Sequence, residues 1–169
     1  MSTAVCAKYM IRSVEDSDEE SVLRIFNHYI ENSFSAYFEK QVYGDFFDLM
    51  KQIADGYPFY VVENESRDVV GFAMLHAYDR AETFSRVAEV TYFIDKDHTR
   101  AGLGQWLLEK MTKEARRMGV DTLLASISSL NEQSLRFHFK NGFTECGRFV
   151  KIGRKWGRDF DLVWVQKFI

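Results

Sequence analysis

Apolar residues recur along the first third of the chain at the spacing of helices with one buried face. The first stripe, at i, i+3, i+4 and i+7 spacing, consists of Val22, Ile25, Phe26, Tyr29 and Ile30. Asp16 or Ser17 precedes this stripe and is expected to cap the helix N-terminus. Apolar residues between Phe46 and Ile53 predict a second short helix that ends at Gly56.

Shorter apolar runs bounded by polar turns predict strands. In the first part of the chain these strands cover 9–13, 59–63, 69–75 and 86–94. The run 69–75 is almost entirely apolar, which is typical of a central strand buried on both faces. The strands at 59–63, 69–75 and 86–94 follow one another with short connections, which favours an antiparallel meander.

Helices and strands continue in the second half of the chain. A polar turn at 95–104 leads into a helix that ends near Met118, with Gly119 as its cap. A helix is predicted at 131–141, and strands at 122–127, 143–152 and 158–167. The order β-α-α-β-β-β-α-β-α-β-β predicts an α+β, or mixed α/β, sandwich built on one sheet. We expect one domain over 9–169, preceded by a flexible N-terminus at 1–8.

Composition and charge restrict the class of protein. With 169 residues, 46% hydrophobic residues and 15 Phe, the chain can form a core without disulfides or metal. The net charge of -3 predicts no attraction to nucleic acid or to anionic membranes. We find no signal peptide and no apolar run that could span a bilayer, and therefore expect a cytoplasmic enzyme. The two cysteines have no metal-ligand spacing, and no metal site is expected.

Basic residues gather near the end of the chain, where they form either a site for an anion or a solvated charged face. They are Lys140, Arg148, Lys151, Arg154, Lys155 and Arg158.

The segment from Asp95 to Gly104 has the features of a phosphate-binding turn. It joins a strand to a helix N-terminus, where unpaired amides and the helix dipole favour an anion. Glycines let the backbone approach the ligand closely. The P-loop signature is absent, and Leu107 stands where a dinucleotide fingerprint needs its third glycine. The alternative is that Gly102 and Gly104 only form a turn.

The strand, the turn from Arg100 to Gly104 and the following helix together resemble the pyrophosphate-binding motif of the GNAT acetyltransferase superfamily. That motif usually reads Gln/Arg-x-x-Gly-x-Gly/Ala, and Thr99 occupies its first position here. Four further stretches, 27–33, 88–94, 131–143 and 153–161, resemble the phosphinothricin acetyltransferase group. Asp159 stands where that group usually has Trp.

The resemblance, which covers about 9–165, implies the GNAT fold, with a central, mostly antiparallel twisted sheet flanked by helices. It implies acetyl-CoA as cosubstrate, no metal and a homodimer. It also implies a small-molecule acceptor: the α-amine of an amino acid or analogue, such as phosphinothricin, methionine sulfoximine or methionine sulfone. Two alternatives stay open, namely acetylation of a protein or peptide N-terminus or of a polyamine, and a non-catalytic CoA-binding module.

Two residues are candidates for the chemistry. Glu89 is a carboxylate in an apolar strand, so it is either ion-paired or a general base that takes a proton from the attacking amine. His138 is by itself a core or capping histidine. The resemblance places it near the CoA sulfur, where it protonates the leaving thiolate or shares the base role. The resemblance further implies direct attack in a ternary complex.

The resemblance also supplies the expected binding residues. Cosubstrate contacts are expected from Tyr92, Phe93, Ile94, Arg100, Ala101, Gly102, Leu103, Gly104, Gln105 and Asn131. The acceptor is expected to contact Glu89, Val90, Thr91 and, through its carboxylate, Arg80. Four aromatic residues either line the acceptor pocket or belong to the core, namely Phe34, Tyr37, Phe84 and Trp156.

Overall fold

A computed structural model describes residues 8–169, and the rest of the expected flexible N-terminus lies outside the described residues. The strands are β1 Tyr9–Ser13, β2 Phe59–Asn64, β3 Val69–Ala77, β4 Val87–Ile94, β5 Thr122–Ser128, β6 Thr144–Lys155 and β7 Arg158–Phe168. The α-helices are α1 Glu19–Asn32, α2 Gly44–Ile53, α3 Leu103–Arg117 and α4 Glu132–Lys140. In this part of the chain no helix is long and apolar enough to cross a membrane.

These strands form one mixed sheet in the order β1-β2-β3-β4-β5-β7-β6. The pairs β1–β2, β2–β3 and β3–β4 are antiparallel, as are the pairs β5–β7 and β7–β6. The single parallel pair joins β4 to β5. The meander and the mostly antiparallel sheet are therefore confirmed, and residues 69–75 of β3 are all buried, as predicted for a central strand.

Helices cover both faces of the sheet. α1 and α2 bury Ile25 and Phe47 against Phe72 of β3 on one face. α3 buries Leu107 and Met111 against the other face. Each such side chain contributes roughly 1.5–3 kcal/mol when fully buried, so both layers hold the sheet in place.

The start of α1 differs from the prediction. Asp16 and Ser17 lie in a short 3-10 turn, and Asp18 occupies the N-terminal cap position. Asp18 is buried because Arg12 donates two hydrogen bonds of 2.7 Å to its carboxylate. The predicted cap was wrong since sequence position alone does not show that β1 supplies a guanidinium to this carboxylate.

Candidate active site

A gap opens in the sheet where the parallel strands β4 and β5 separate. They pair only from Val87↔Thr122 to Glu89↔Leu124, although β4 continues to Ile94. A cavity of about 720 Å³ occupies the gap and is lined by residues from both faces of the sheet. The separation leaves the edge of β4 at residues 92–94, where cosubstrate contacts are predicted, without a paired strand.

The turn before α3 contributes to the lining of this cavity. Gly102 caps α3 with a φ of 86°, and Arg100 also lies in the left-handed region, with a φ of 63°. This backbone presents the first amides of a 15-residue helix to the cavity, and its first turn holds no acidic residue. Arg100 is exposed, and the described residues provide it with no carboxylate partner. The turn is therefore suited to hold a phosphate.

Most of the residues expected at this turn and on β4 do line the cavity. They are Glu89, Val90, Thr91, Tyr92, Phe93, Ile94, Arg100, Gly102, Leu103, Gly104 and Gln105. Ala101 does not, and packs instead on the core beneath α3. Two further cations, Arg136 and Lys140 of α4, lie in the lining, whereas Glu89 is its single acidic residue in the described part of the chain.

Glu89 lies on the face of β4 that α1 covers. Its Oε1 accepts a hydrogen bond of 2.8 Å from Ser126 of β5, just beyond the last paired residues of the two strands. Its Oε2 lies 3.8 Å from Nε2 of His76 on β3. The Glu89 side chain is 16% exposed, so this carboxylate is held in place and remains accessible from the cavity.

The segment after α1 reaches Ser126, the residue that also binds Glu89. The Tyr37 hydroxyl donates a hydrogen bond of 2.9 Å to the Ser126 carbonyl. Burial raises the pKa of Tyr37 to about 12, and the nearby Glu89 charge adds to this rise. Tyr37 therefore stays protonated at neutral pH and can donate hydrogen bonds.

His138 belongs to α4, on the opposite face of the sheet, and its ring packs against Tyr92 and Phe143. Its Nδ1 lies 2.8 Å from the Ser134 carbonyl, which can only accept, so Nδ1 carries the proton. Its Nε2 therefore accepts from the Tyr92 hydroxyl at 2.6 Å. Burial lowers the pKa of His138, although the hydrogen bond to Ser134 opposes this effect. The imidazole is thus neutral near pH 7, and its two nitrogens both have partners.

Asn131 fulfils the capping role considered for it and also lines the cavity. Its Oδ1 accepts from the Ser134 amide at 3.1 Å, and its Nδ2 donates to Ser35 at 2.8 Å. Asn131 thereby links the start of α4 to the segment after α1 that contains Ser35 and Tyr37.

The structure does not bring the expected carboxylate clamp to the cavity. Arg80 is exposed in the loop after β3, outside the cavity lining. Of the four aromatic candidates, only Tyr37 lines the cavity. Phe34 instead stands edge-on to Trp156 at 5.3 Å, and Phe84 stands edge-on to Tyr78 at 5.6 Å.

Lys155 occupies a position that the sequence does not predict. The sequence places it in a basic cluster that is either solvated or anion-binding, but it is fully buried. Its Nζ donates to the carbonyls of Ile30, Ser33 and Ala36 at 2.6, 2.8 and 2.7 Å. Lys155 thus fixes the end of α1 and the segment that carries Tyr37. The nearby Gly153 and Gly157 are the only local sequence feature around Lys155 that we note, and glycines near a lysine do not predict that the lysine is buried.

Comparison with known proteins places this architecture among acetyltransferases. Residues 22–143 match the acetyltransferase (GNAT) family. The L-methionine sulfoximine/L-methionine sulfone acetyltransferase of Salmonella typhimurium is 29% identical over 92% of both chains. The phosphinothricin N-acetyltransferase of Streptomyces viridochromogenes is 30% identical over 90% of this chain and 88% of its own. The resemblance to this group is therefore confirmed.

Solved structures share the fold. The structure of yncA from Salmonella typhimurium with its cofactor acetyl-CoA superposes with a TM-score of 0.86, at 28% identity, and the match covers 95% of this chain and 94% of that one. A ribosomal-protein-alanine N-acetyltransferase from Brucella melitensis gives a TM-score of 0.85 at 31% identity, covering 95% and 99%. The family match covers more than half of the chain, and the predicted fold is confirmed. The chain therefore belongs to the acetyltransferase (GNAT) family.

Proposed function

We propose that this protein transfers the acetyl group of acetyl-CoA to the α-amine of a small amino acid or analogue, by direct attack in a ternary complex. The observation that carries this proposal is the gap between β4 and β5, where one cavity is lined both by the glycine-containing turn before α3 and by Glu89. The relatives named for methionine sulfoximine, methionine sulfone and phosphinothricin support the choice of acceptor.

The cavity fits acetyl-CoA. The amides at the start of α3 and the Arg100 side chain suit a pyrophosphate, and the free edge of β4 suits an extended arm with amide groups. Asn131 and the β4 backbone from Tyr92 to Ile94 hold that arm in this proposal. When bound, acetyl-CoA supplies an acyl group activated as a thioester.

Glu89 acts as the general base. An ammonium cannot attack an acyl group until it loses a proton, and a carboxylate positioned by Ser126 can take that proton. Thr91 lies two residues further along the same strand, so it faces the same side of the sheet and the same acceptor. Tyr37 lines the same cavity and donates a hydrogen bond to the Ser126 carbonyl.

We place His138 on the side of the site from which the thiol of CoA leaves. Tyr92 is three residues from Glu89 in β4, so alternation places the two side chains on opposite faces of the strand. This separation favours distinct roles: Glu89 takes a proton from the amine, and the Tyr92 hydroxyl, held by His138, protonates the leaving thiolate. The O–H bond of Tyr92 breaks as the S–H bond forms, and the second proton that the nitrogen loses restores the hydroxyl. Backbone amides on the free edge of β4 near Tyr92 polarise the carbonyl under attack.

A protein N-terminus is the second candidate acceptor, because the Brucella relative is described as acting on ribosomal-protein alanine. A peptide acceptor needs an open groove beside Glu89. Here Tyr37 is bonded to Ser126 and stacks on Phe160, with centroids 5.8 Å apart, which restricts that side. The covered site favours a free amino acid.

The test is release of CoA thiol with a panel of acceptors. The panel contains phosphinothricin, methionine sulfoximine, methionine sulfone, N-terminal alanine peptides and spermidine, each with its N-acetyl product checked by mass spectrometry. We expect turnover with the free amino acids and none with peptides or spermidine. Turnover of peptides alone would favour the second acceptor, and failure of acetyl-CoA to bind would refute both.

We also propose that the chain forms a homodimer through β6. This edge strand exposes Phe149, Val150 and Ile152, which are more than half accessible. Contiguous apolar residues of this kind on a monomer commonly mark an interface. Light scattering should give twice the chain mass, and Ile152→Lys should lower it. A monomeric wild-type protein would contradict the proposal.

A further inference from the structure

His76 and Glu89 face each other across β3 and β4. They are direct partners in the antiparallel register, so their side chains lie on the same face of the sheet. Nε2 of His76 lies 3.8 Å from Oε2 of Glu89, the oxygen that Ser126 does not bind. His76 is absent from the cavity lining, so it approaches Glu89 from outside the cavity.

The tautomer of His76 follows from its second contact. Its Nδ1 lies 3.0 Å from the Ala77 carbonyl, which can only accept a hydrogen bond. Nδ1 therefore carries the proton of the neutral ring, and Nε2 presents its lone pair towards Glu89. The 3.8 Å separation exceeds a direct hydrogen bond, so contact requires a small rotation or one bridging water.

The proposed reaction produces one proton in each turnover. An ammonium and a thioester give an amide, a thiol and H⁺, because the nitrogen loses two protons and the thiolate takes up one. The other proton reaches Glu89 when its O–H bond forms and the N–H bond of the ammonium breaks. Glu89 must release this proton before the next cycle, although its side chain is only 16% exposed.

We propose that His76 takes this proton from Glu89 and passes it to solvent. The O–H bond of Glu89 breaks, an N–H bond forms at Nε2, and the imidazolium then releases the proton to water or buffer. His76 acts through Glu89 and does not itself touch the substrate. The inference rests on the proposed function, because it needs Glu89 as the base.

The other groups around Glu89 are poor proton acceptors. β5 presents the neutral hydroxyl of Ser126, and β7 places Trp164 opposite Ser126. Above the site stands Tyr37, whose pKa burial raises to about 12. His76, by contrast, presents the free lone pair of Nε2 towards Glu89, and its side chain is 19% exposed and thus reachable by solvent.

The experiment compares wild type with His76→Ala and His76→Gln in weak buffer, with and without added imidazole. Both variants should lose about tenfold in kcat, less than the 10²–10⁴-fold typical of the base itself. Imidazole should restore His76→Ala, in proportion to its neutral form, because it replaces the lost acceptor. His28→Ala, a matched change on α1, should behave as wild type, and the Kd for acetyl-CoA should be the same in all variants.

Each outcome decides the inference. Full activity of either His76 variant would overturn it, because the proton would then leave Glu89 without His76. Failure of imidazole to restore His76→Ala would also overturn it, because a soluble base does not repair a loss of activity caused by a structural change. In those cases an active wild type leaves the proposed acetyl transfer standing. An inactive wild type with every acceptor would instead refute the proposed function itself.

Discussion

The hydroxyl of Tyr92 lies 2.6 Å from Nε2 of His138, and the two rings stack with their centroids 5.6 Å apart. Burial raises the pKa of Tyr92 well above its usual value and lowers that of His138. The pair is therefore a neutral phenol donating to a neutral imidazole.

Tyr92→Phe tests the role of this pair. The variant removes the hydroxyl and leaves a buried imidazole nitrogen without its partner, which costs about 1–3 kcal/mol of stability. If the hydroxyl links His138 to the thiolate, kcat should fall about 10²-fold while the KM for the acceptor stays the same. Tyr43→Phe is the control, because Tyr43 is exposed. Unchanged kcat would leave the hydroxyl with a structural role only.

The lowered pKa of His138 predicts how stability depends on pH. In the unfolded chain this imidazole becomes protonated as the pH falls through about 6.5, whereas in the folded protein it resists protonation. Protons therefore favour the unfolded state, and this residue's contribution to stability is present above that pH and lost below it. The Tm of the wild type should fall more steeply between pH 7 and pH 5 than that of His138→Gln. Equal slopes would contradict the assignment of a neutral His138.

Gly102→Ala tests the phosphate-binding turn. A left-handed φ costs a non-glycine residue about 1–2 kcal/mol, and relaxation of this strain should move the amides at the start of α3. Gly119→Ala is the matched control, because Gly119 has a similar φ of 80° just beyond the other end of α3. Calorimetry should show weaker acetyl-CoA binding for Gly102→Ala alone. Equal losses of acetyl-CoA affinity in both variants would show that backbone strain in general, and not a change at this turn, weakens binding.

Lys155→Met tests the support of the acceptor segment. The change leaves three buried carbonyls without their donor, so we expect a loss of about 3 kcal/mol in the free energy of unfolding. Because the segment also carries Tyr37, the KM for the acceptor should rise more than the KM for acetyl-CoA. Lys151→Met, an exposed neighbour on β6, is the control. A stable variant with wild-type KM values would show that Lys155 does not hold this segment.

Much of the fold follows from local patterns. The strand at 69–75 was recognisable because a central strand is apolar on both faces, and the turn before α3 because glycines precede an amphipathic helix. Both features depend on residues that are close together in the sequence, and the spacing of apolar residues reveals structure over such short distances.

Contacts between distant segments could not be predicted in this way. The burial of Lys155 depends on carbonyls about 120 positions away, and the approach of His76 to Glu89 depends on the exact register of β3 and β4. The separation of β4 from β5 is equally invisible, since no local pattern marks where two parallel strands stop pairing. Several residues that line the cavity were therefore predicted from the sequence, whereas the residues that contact and position them were not.

The central claim, that Glu89 removes a proton from an amine beside the gap between β4 and β5, is tested most directly by Glu89→Gln. The pH dependence of kcat/KM for methionine sulfone should be measured for both proteins, together with acetyl-CoA binding. We predict an unchanged Kd for acetyl-CoA and a loss of 10²–10⁴-fold in kcat/KM. The loss should shrink as rising pH deprotonates the free amine. Wild-type activity of Glu89→Gln at neutral pH would contradict the claim.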